Sequence, residues 1–213
     1  ITDNSGTPTV TKSTAGLSCS SAGCSGTISA KQKYTVQSAD GKDTDTLTFL
    51  PNGDFLLGYN ANPKECLDMV RQMNIPVVKG NHDDYCSTEE PLDGFNPAAA
   101  EAVNWTRKQL TDEDRQGLGD LKYVRMVNNF TIVHATLDGP QRWGYVFDKL
   151  AAAASFTYQN TSVCFFGHTH VPVAFVRDAH VRGGTYTKFK IEPGREYFVN
   201  PGSVGQPRDN NPN

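Results

Sequence analysis

Ile75-Pro76-Val77-Val78-Lys79-Gly80-Asn81-His82-Asp83 reads as a short apolar strand that runs straight into turn and metal-ligating residues. The pattern recurs downstream. Phe130-Thr131-Ile132-Val133 is followed by His134, Val163-Cys164-Phe165-Phe166 by Gly167-His168-Thr169-His170, and Tyr197-Phe198-Val199 by Asn200-Pro201-Gly202-Ser203. In open α/β sheets, ligands bind in the crevice beyond the carboxyl ends of strands. Each piece alone has an ordinary reading. His134 on its own is a structural histidine, and Gly80-Asn81-His82-Asp83 on its own is a turn. His168 and His170 say more, because period-2 spacing projects both imidazoles to one side of an extended chain. Four such strand ends in one chain are hard to explain by turns and core packing. Imidazole with carboxylate and amide oxygens suits Zn, Fe, Mn or Ni. A mixed N/O site of that kind points to hydrolysis by a metal-activated water.

The surrounding text is that of an α/β protein. Asn62-Pro63 and Asn96-Pro97 each place an N-cap before a proline at the first helical position. Cys66, Val70 and Met73 then fall on one helical face, as do Ala99, Val103 and Leu110. Thr111 with Asp114 predicts a capping box for a further short helix. Phe147, Leu150, Ala151 and Ala154 predict another. Strands are expected at 75–78, 123–127, 130–133, 163–166, 173–176, 186–191 and 197–199. Helices between strands favour α/β, and the closely spaced late strands favour antiparallel pairing.

Upstream the composition changes. Of the first 50 residues 18 are Ser or Thr, and no histidine precedes His82. Gly6 to Gly26 lacks periodicity and reads as loop or disorder. Tyr34-Thr35-Val36 is β-prone, and Leu47 to Leu57 reads as a hairpin around Asn52-Gly53-Asp54. Residues 1–57 are thus an atypical Ser/Thr-rich segment, foreign or partly disordered, within a single domain spanning 1–213.

The chain of 213 residues is long enough to bury a real core. A net charge of -3 gives no basic field for constitutive nucleic-acid binding or an anionic membrane surface. No apolar run approaches the ~20 residues of a membrane span, and no leader pattern is visible. Five cysteines are too few and too irregular for a disulfide scaffold. Cys66, Cys86 and Cys164 read as buried or half-buried free thiols, and Cys19 and Cys24 would pair only in an exported chain. A cytoplasmic location is expected.

Gly80-Asn81-His82-Asp83, Val133-His134-Ala135, Gly167-His168-Thr169-His170 and Asn200-Pro201-Gly202-Ser203 resemble the calcineurin-like metallophosphoesterase superfamily, in its motif order. From about Gly58 the chain is similar to bacterial predicted phosphodiesterases of that superfamily. The resemblance implies an αββα sandwich of two mixed β-sheets flanked by helices, with a dinuclear site at the strand ends. It implies Asn81, His134 and His168 as ligands of one divalent metal (Mn, Fe, Zn or Ni) and His170 as a ligand of the other. His82 would be the acid that protonates the leaving oxygen, or the donor that steadies the phosphoryl charge, with Asp83 holding its ring. The implied activity is hydrolysis of a phosphodiester or phosphomonoester, and the implied partner is a small phosphorylated substrate. Oligomeric state is open, and His180 matches no motif and reads as a surface residue.

The opening departs from the family. The family starts with a strand ending in Asp-x-His. Here Asp3 stands where the aspartate belongs, but Ser5 replaces the histidine. Gly53-Asp54 resembles the later Gly-Asp block, so Asp54 is either the bridging ligand or an ordinary turn residue. One metal position is therefore expected to be weak. Arg208 is either a phosphate contact, since guanidinium matches phosphate oxygens bidentately, or a solvated loop residue. An alternative to an active enzyme is a degenerate member that binds metal or phosphate with little turnover. A third reading is a secreted β-rich protein, for which the sequons at Asn104, Asn129 and Asn160 would be glycosylation sites.

Overall fold

Proline-led amphipathic runs become helices here, and turn-bounded apolar runs become strands. The computed structural model describes residues 62–203 and 206–210 in full and, upstream, the backbone of five strands. These are β1 (Thr9–Lys12), β2 (Gly16–Ser20), β3 (Gly23–Ser29), β4 (Lys33–Gln37) and β5 (Thr44–Thr48). The helices are α1 (Pro63–Met73), α2 (Asn81–Ser87), α3 (Pro97–Gln109), α4 (Asp112–Gly119) and α5 (Lys149–Phe156). The later strands are β6 (Val124–Val127), β7 (Phe130–Val133), β8 (Val163–Phe165), β9 (Val173–Arg177), β10 (Val181–Thr185), β11 (Lys188–Ile191) and β12 (Glu196–Asn200).

A mixed six-stranded sheet runs in the order β10-β9-β12-β8-β7-β6. Its centre is parallel, β7 beside β8 and β8 beside β12, and its flanks are antiparallel. The fold is α/β, as expected. The centre of the sheet is buried on both faces, which explains why its central strands are nearly all apolar. Because successive side chains alternate, Cys164, Phe175 and Phe198 join Ala152 and Phe156 of α5 on one face. Val163, Tyr197 and Val199 pack with Phe189 and Ile191 of β11 on the other. β11 itself belongs to a three-stranded antiparallel sheet, β11-β3-β2, and β1-β4-β5 form a third sheet.

Helices α1, α2, α3 and α4 close around Leu67, Val70, Cys86, Val103, Leu110 and Leu118. The capping box of α4 is present, with Thr111 Oγ1 accepting from the Asp114 amide and Asp114 Oδ2 accepting from the Thr111 amide. Arg71 of α1 also donates to Asp114, 2.5 Å away. Burial works to raise the Asp114 pKa, but the bonds from Arg71 and Thr111 outweigh it and hold the carboxyl below its usual value.

The structure corrects several expectations. Gly6 to Gly26 contains β1, β2 and the start of β3 rather than loop. Its Thr residues and Val10 suit strands, but the many polar residues in this stretch of sequence hide the period-2 signal. Ile75 to Val78 lies in no ladder among the described residues. Pro76 lacks an amide donor, and the segment is tied on by Lys79 N donating to Lys122 O at 2.9 Å. Asn81 to Ser87 is a helix rather than a turn alone. In α5 the buried residues are Ala152, Ser155 and Phe156, whereas Phe147 and Leu150 are exposed. β10 was not foreseen, and β11 starts at Lys188 rather than Tyr186. The expected hairpin at Asn52-Gly53 falls outside the described residues apart from β5.

Candidate functional site

The three parallel strands β7, β8 and β12 deliver their next residues to one edge of the sheet. His134 directly follows β7, Gly167 to His170 follow β8 by one residue, and Asn200 ends β12. The backbone stitches these ends together. Gly167 N donates to His134 O at 2.8 Å, and Phe166 N donates to Val199 O at 2.9 Å. Fully buried Asn200 then locks the histidine loop. Its Nδ2 donates to Gly167 O and Thr169 Oγ1, both at 2.7 Å, while its Oδ1 accepts from Gly202 N at 2.8 Å.

Three donor atoms converge there. His134 Nε2 lies 3.0 Å from Asn81 Oδ1 and 3.0 Å from His168 Nδ1. Cis ligands ~2.1 Å from one octahedral ion are separated by ~3.0 Å. The set of two imidazoles and one amide oxygen therefore fits a divalent first-row metal, and these three residues could hold it. Asn81 reaches the site as the first residue of α2. The start of α2 is fixed by Asp83, whose Oδ2 accepts from Gly80 N at 2.8 Å. His82 and Asp83 are both buried beside it. Among the described residues no group of three or more His, Cys, Asp or Glu side chains gathers around a metal position. The third donor here is an amide.

His168 and His170 do not sit on an extended chain, contrary to the period-2 expectation. Both adopt left-handed backbone, φ 65° and 60°. Such backbone is uncommon away from glycine and concentrates at functional sites. The turn sends the two imidazoles to different partners. His168 meets His134, while His170 Nδ1 lies 2.7 Å from Gln206 O. A carbonyl only accepts, so Nδ1 carries the proton and the Nε2 lone pair is directed elsewhere, the usual device for orienting a metal-binding histidine. Arg208 N donates to His170 O at 3.1 Å, which brings exposed Arg208 beside that histidine. His180 is exposed in the β9–β10 turn, away from this edge. Asp54, Asp3 and Ser5 lie outside the described residues.

Aromatic residues that the motif pattern did not assign complete the site. Trp143, at φ 54°, packs its ring 5.7 Å from that of His134, and Tyr145 stacks on His168 at 4.2 Å. The only sequence signal for them is their place in the long connection after β7. The three cysteines among the described side chains take no part. Cys66, Cys86 and Cys164 are free thiols, and desolvation pushes Cys86 up to about 12 and Cys164 well above its ordinary value. Thiols held protonated in this way are inert as nucleophiles.

A profile of the calcineurin-like phosphoesterase superfamily domain matches residues 30–213. The chain is 34% identical over 161 residues to MJ0912 of Methanocaldococcus jannaschii, an uncharacterized protein, across 72% of this chain and 63% of that one. It thus spans less than two thirds of that relative. Among solved structures, a metallophosphoesterase from Sphaerobacter thermophilus superposes with a TM-score of 0.60 and 37% identity, over 75% of this chain and 67% of the other. Protein PH1004 of Pyrococcus horikoshii shares the fold at a TM-score of 0.52 and 16% identity, over 72% and 62% of the two chains. The motif order, the parallel strand ends that carry it and the match over residues 30–213 together place the chain in the calcineurin-like phosphoesterase superfamily.

Proposed function

We propose that this chain is a metal-dependent phosphoesterase that hydrolyses a small phosphodiester or phosphomonoester. The observation that carries the reading is the 3.0 Å convergence of Asn81 Oδ1, His134 Nε2 and His168 Nδ1 at the ends of parallel strands. Members of the family generally use divalent metals. Manganese, iron, zinc or nickel would each suit the set, and a cation held there supplies Lewis acidity and lowers the pKa of water. Asn81, His134 and His168 would hold one metal, His170 would be a ligand of another, and Asp54, which lies outside the described residues, would supply a carboxylate to the site. His82 lends a proton to the departing oxygen at near-neutral pH, as an imidazole can. Asp83 steadies its ring, and Arg208 receives a phosphate oxygen.

A second reading, a member that binds metal or phosphate with little turnover, is favoured by one observation. Within these 213 residues Ser5 stands where the resemblance places a histidine beside the His170 position. Metal analysis of the purified protein beside a bis-p-nitrophenyl phosphate assay separates the two. Turnover stimulated by Mn²⁺ supports the enzyme, and bound metal without turnover supports the second reading. No helix among the described residues is long and apolar enough to cross a membrane. The proposed setting for this activity is the cytoplasm.

A further inference from the structure

Gly144 to Phe147 follows a single 3₁₀ turn at Pro140–Arg142 and runs without helix or ladder up to the Asp148 cap of α5. Its side chains nevertheless alternate. Val146 is 1% exposed and joins the core cluster with Phe156, Phe166 and Phe198, whereas Tyr145 and Phe147 are 50% and 63% exposed. The anchored Val146 thus turns its two neighbours outward together. Their rings lie parallel, 5.5 Å apart with an interplanar angle of 6°, and Tyr145 continues the stack onto His168 at 4.2 Å. The result is a column His168–Tyr145–Phe147 that begins at the donor cluster and ends in solvent. Ordinary packing does not ask for two large apolar rings on the outside. The left-handed backbone of bulky Trp143, just before the column, marks the same loop as strained beside the site.

From this column we infer that the site takes phosphoesters bearing a planar ring, a nucleobase or an aryl group, which extends the column by stacking on the open face of Phe147 while the phosphate points toward the histidines. This inference rests on the phosphoesterase reading and names the substrate class of that same site. Stacking on an aromatic face is tolerant of which ring is offered. With a net charge of -3 and no basic field to hold a polymer backbone, the fitting ligand is a mononucleotide-sized phosphoester rather than a long nucleic acid.

Two ligands that differ only in the ring test it. Adenosine 5′-monophosphate and ribose 5-phosphate are titrated into the full chain after chelation and again with Mn²⁺, with affinity read by calorimetry. Wild type should bind the adenine compound about five- to hundredfold more tightly. Phe147→Ala should erase most of that difference, Phe147→Trp should keep it, and ribose 5-phosphate should bind all three alike. Phe147 is exposed, so the variants are expected to fold. In parallel, kcat/KM of each variant relative to wild type is measured for bis-p-nitrophenyl phosphate and for glycerophosphocholine. Comparing variant with wild type on one substrate cancels the better aryl leaving group, and only the aryl ester should lose rate in Phe147→Ala. Equal affinities for the two ligands in wild type, or an adenine preference that survives Phe147→Ala, overturn the ring inference even if turnover is observed. A change in oligomeric state by sedimentation with no change in ligand preference also overturns it, because Phe147 would then be a contact between copies. Absence of turnover on every phosphoester, with the ring preference intact, overturns the phosphoesterase reading and leaves the ring site standing.

Discussion

His82 shows how narrowly a residue's role is set by its place on an element. It is the second residue of α2, next to Asn81 and buried at 7% exposure. Asn81 reaches His134, so the neighbouring imidazole sits at the start of α2 beside one of the converging donors. His82→Ala is therefore expected to cut phosphoesterase turnover by about 10²–10⁴-fold while leaving metal content close to wild type. His134→Ala should instead lower both together, since its Nε2 touches both other donors. Elemental analysis beside a rate measurement decides. Parallel loss of metal and rate in His82→Ala would make His82 a ligand and overturn its assignment as the acid.

At the scale of elements, β10 is held against β9 by a position with no room for a side chain. A Cβ on Gly183 would come within 2.2 Å of Ala174 O and 2.7 Å of Phe175 Cα, both backbone atoms that cannot swing away. Gly183→Ala must therefore displace β10 or bend β9. Overpacking of this kind costs about 1–3 kcal/mol. A urea titration should show a lower midpoint with an unchanged slope. β10 is an outer strand of the sheet, separated from β8 and its histidine loop by β9 and β12. Rates should consequently change far less than stability, and an unfolding midpoint equal to wild type would show that the β9–β10 pairing relaxes without cost. Asn200 acts at the same scale in the opposite sense, because one buried amide fixes a whole loop through three hydrogen bonds.

For the whole molecule the decisive quantity is metal stoichiometry. In the proposed two-metal reading one position would draw on Asn81, His134 and His168, and the other would have His170 among the described residues. Fewer protein ligands mean weaker binding, so dialysed protein should retain about one metal per chain, with a second added only in excess Mn²⁺. A chain holding one metal would still have its Lewis acidity but would lack the second charge that a two-metal site supplies, and would turn over more slowly. Two stoichiometric metals after dialysis would show that residues outside the described set complete the second position. The sequence by itself determined the α/β class, the helix starts at Asn62-Pro63, Asn96-Pro97 and Thr111, and the histidines at the ends of β7 and β8. Those signals are local, since a cap, a periodicity and a strand-end motif each lie within a few residues of chain. Only the tertiary structure decided that β12 inserts between β8 and β9, which lets Asn200 lock the Gly167–His170 loop. It also decided that His168 and His170 turn to different partners, that Ala152 and Phe156 rather than Leu150 face the core, and that Tyr145 and Phe147 stack outward from His168. Apart from the Tyr145–Phe147 contact, these outcomes depend on pairings between residues far apart in the chain, whose free energy comes from burial and hydrogen bonds that no short window of sequence contains.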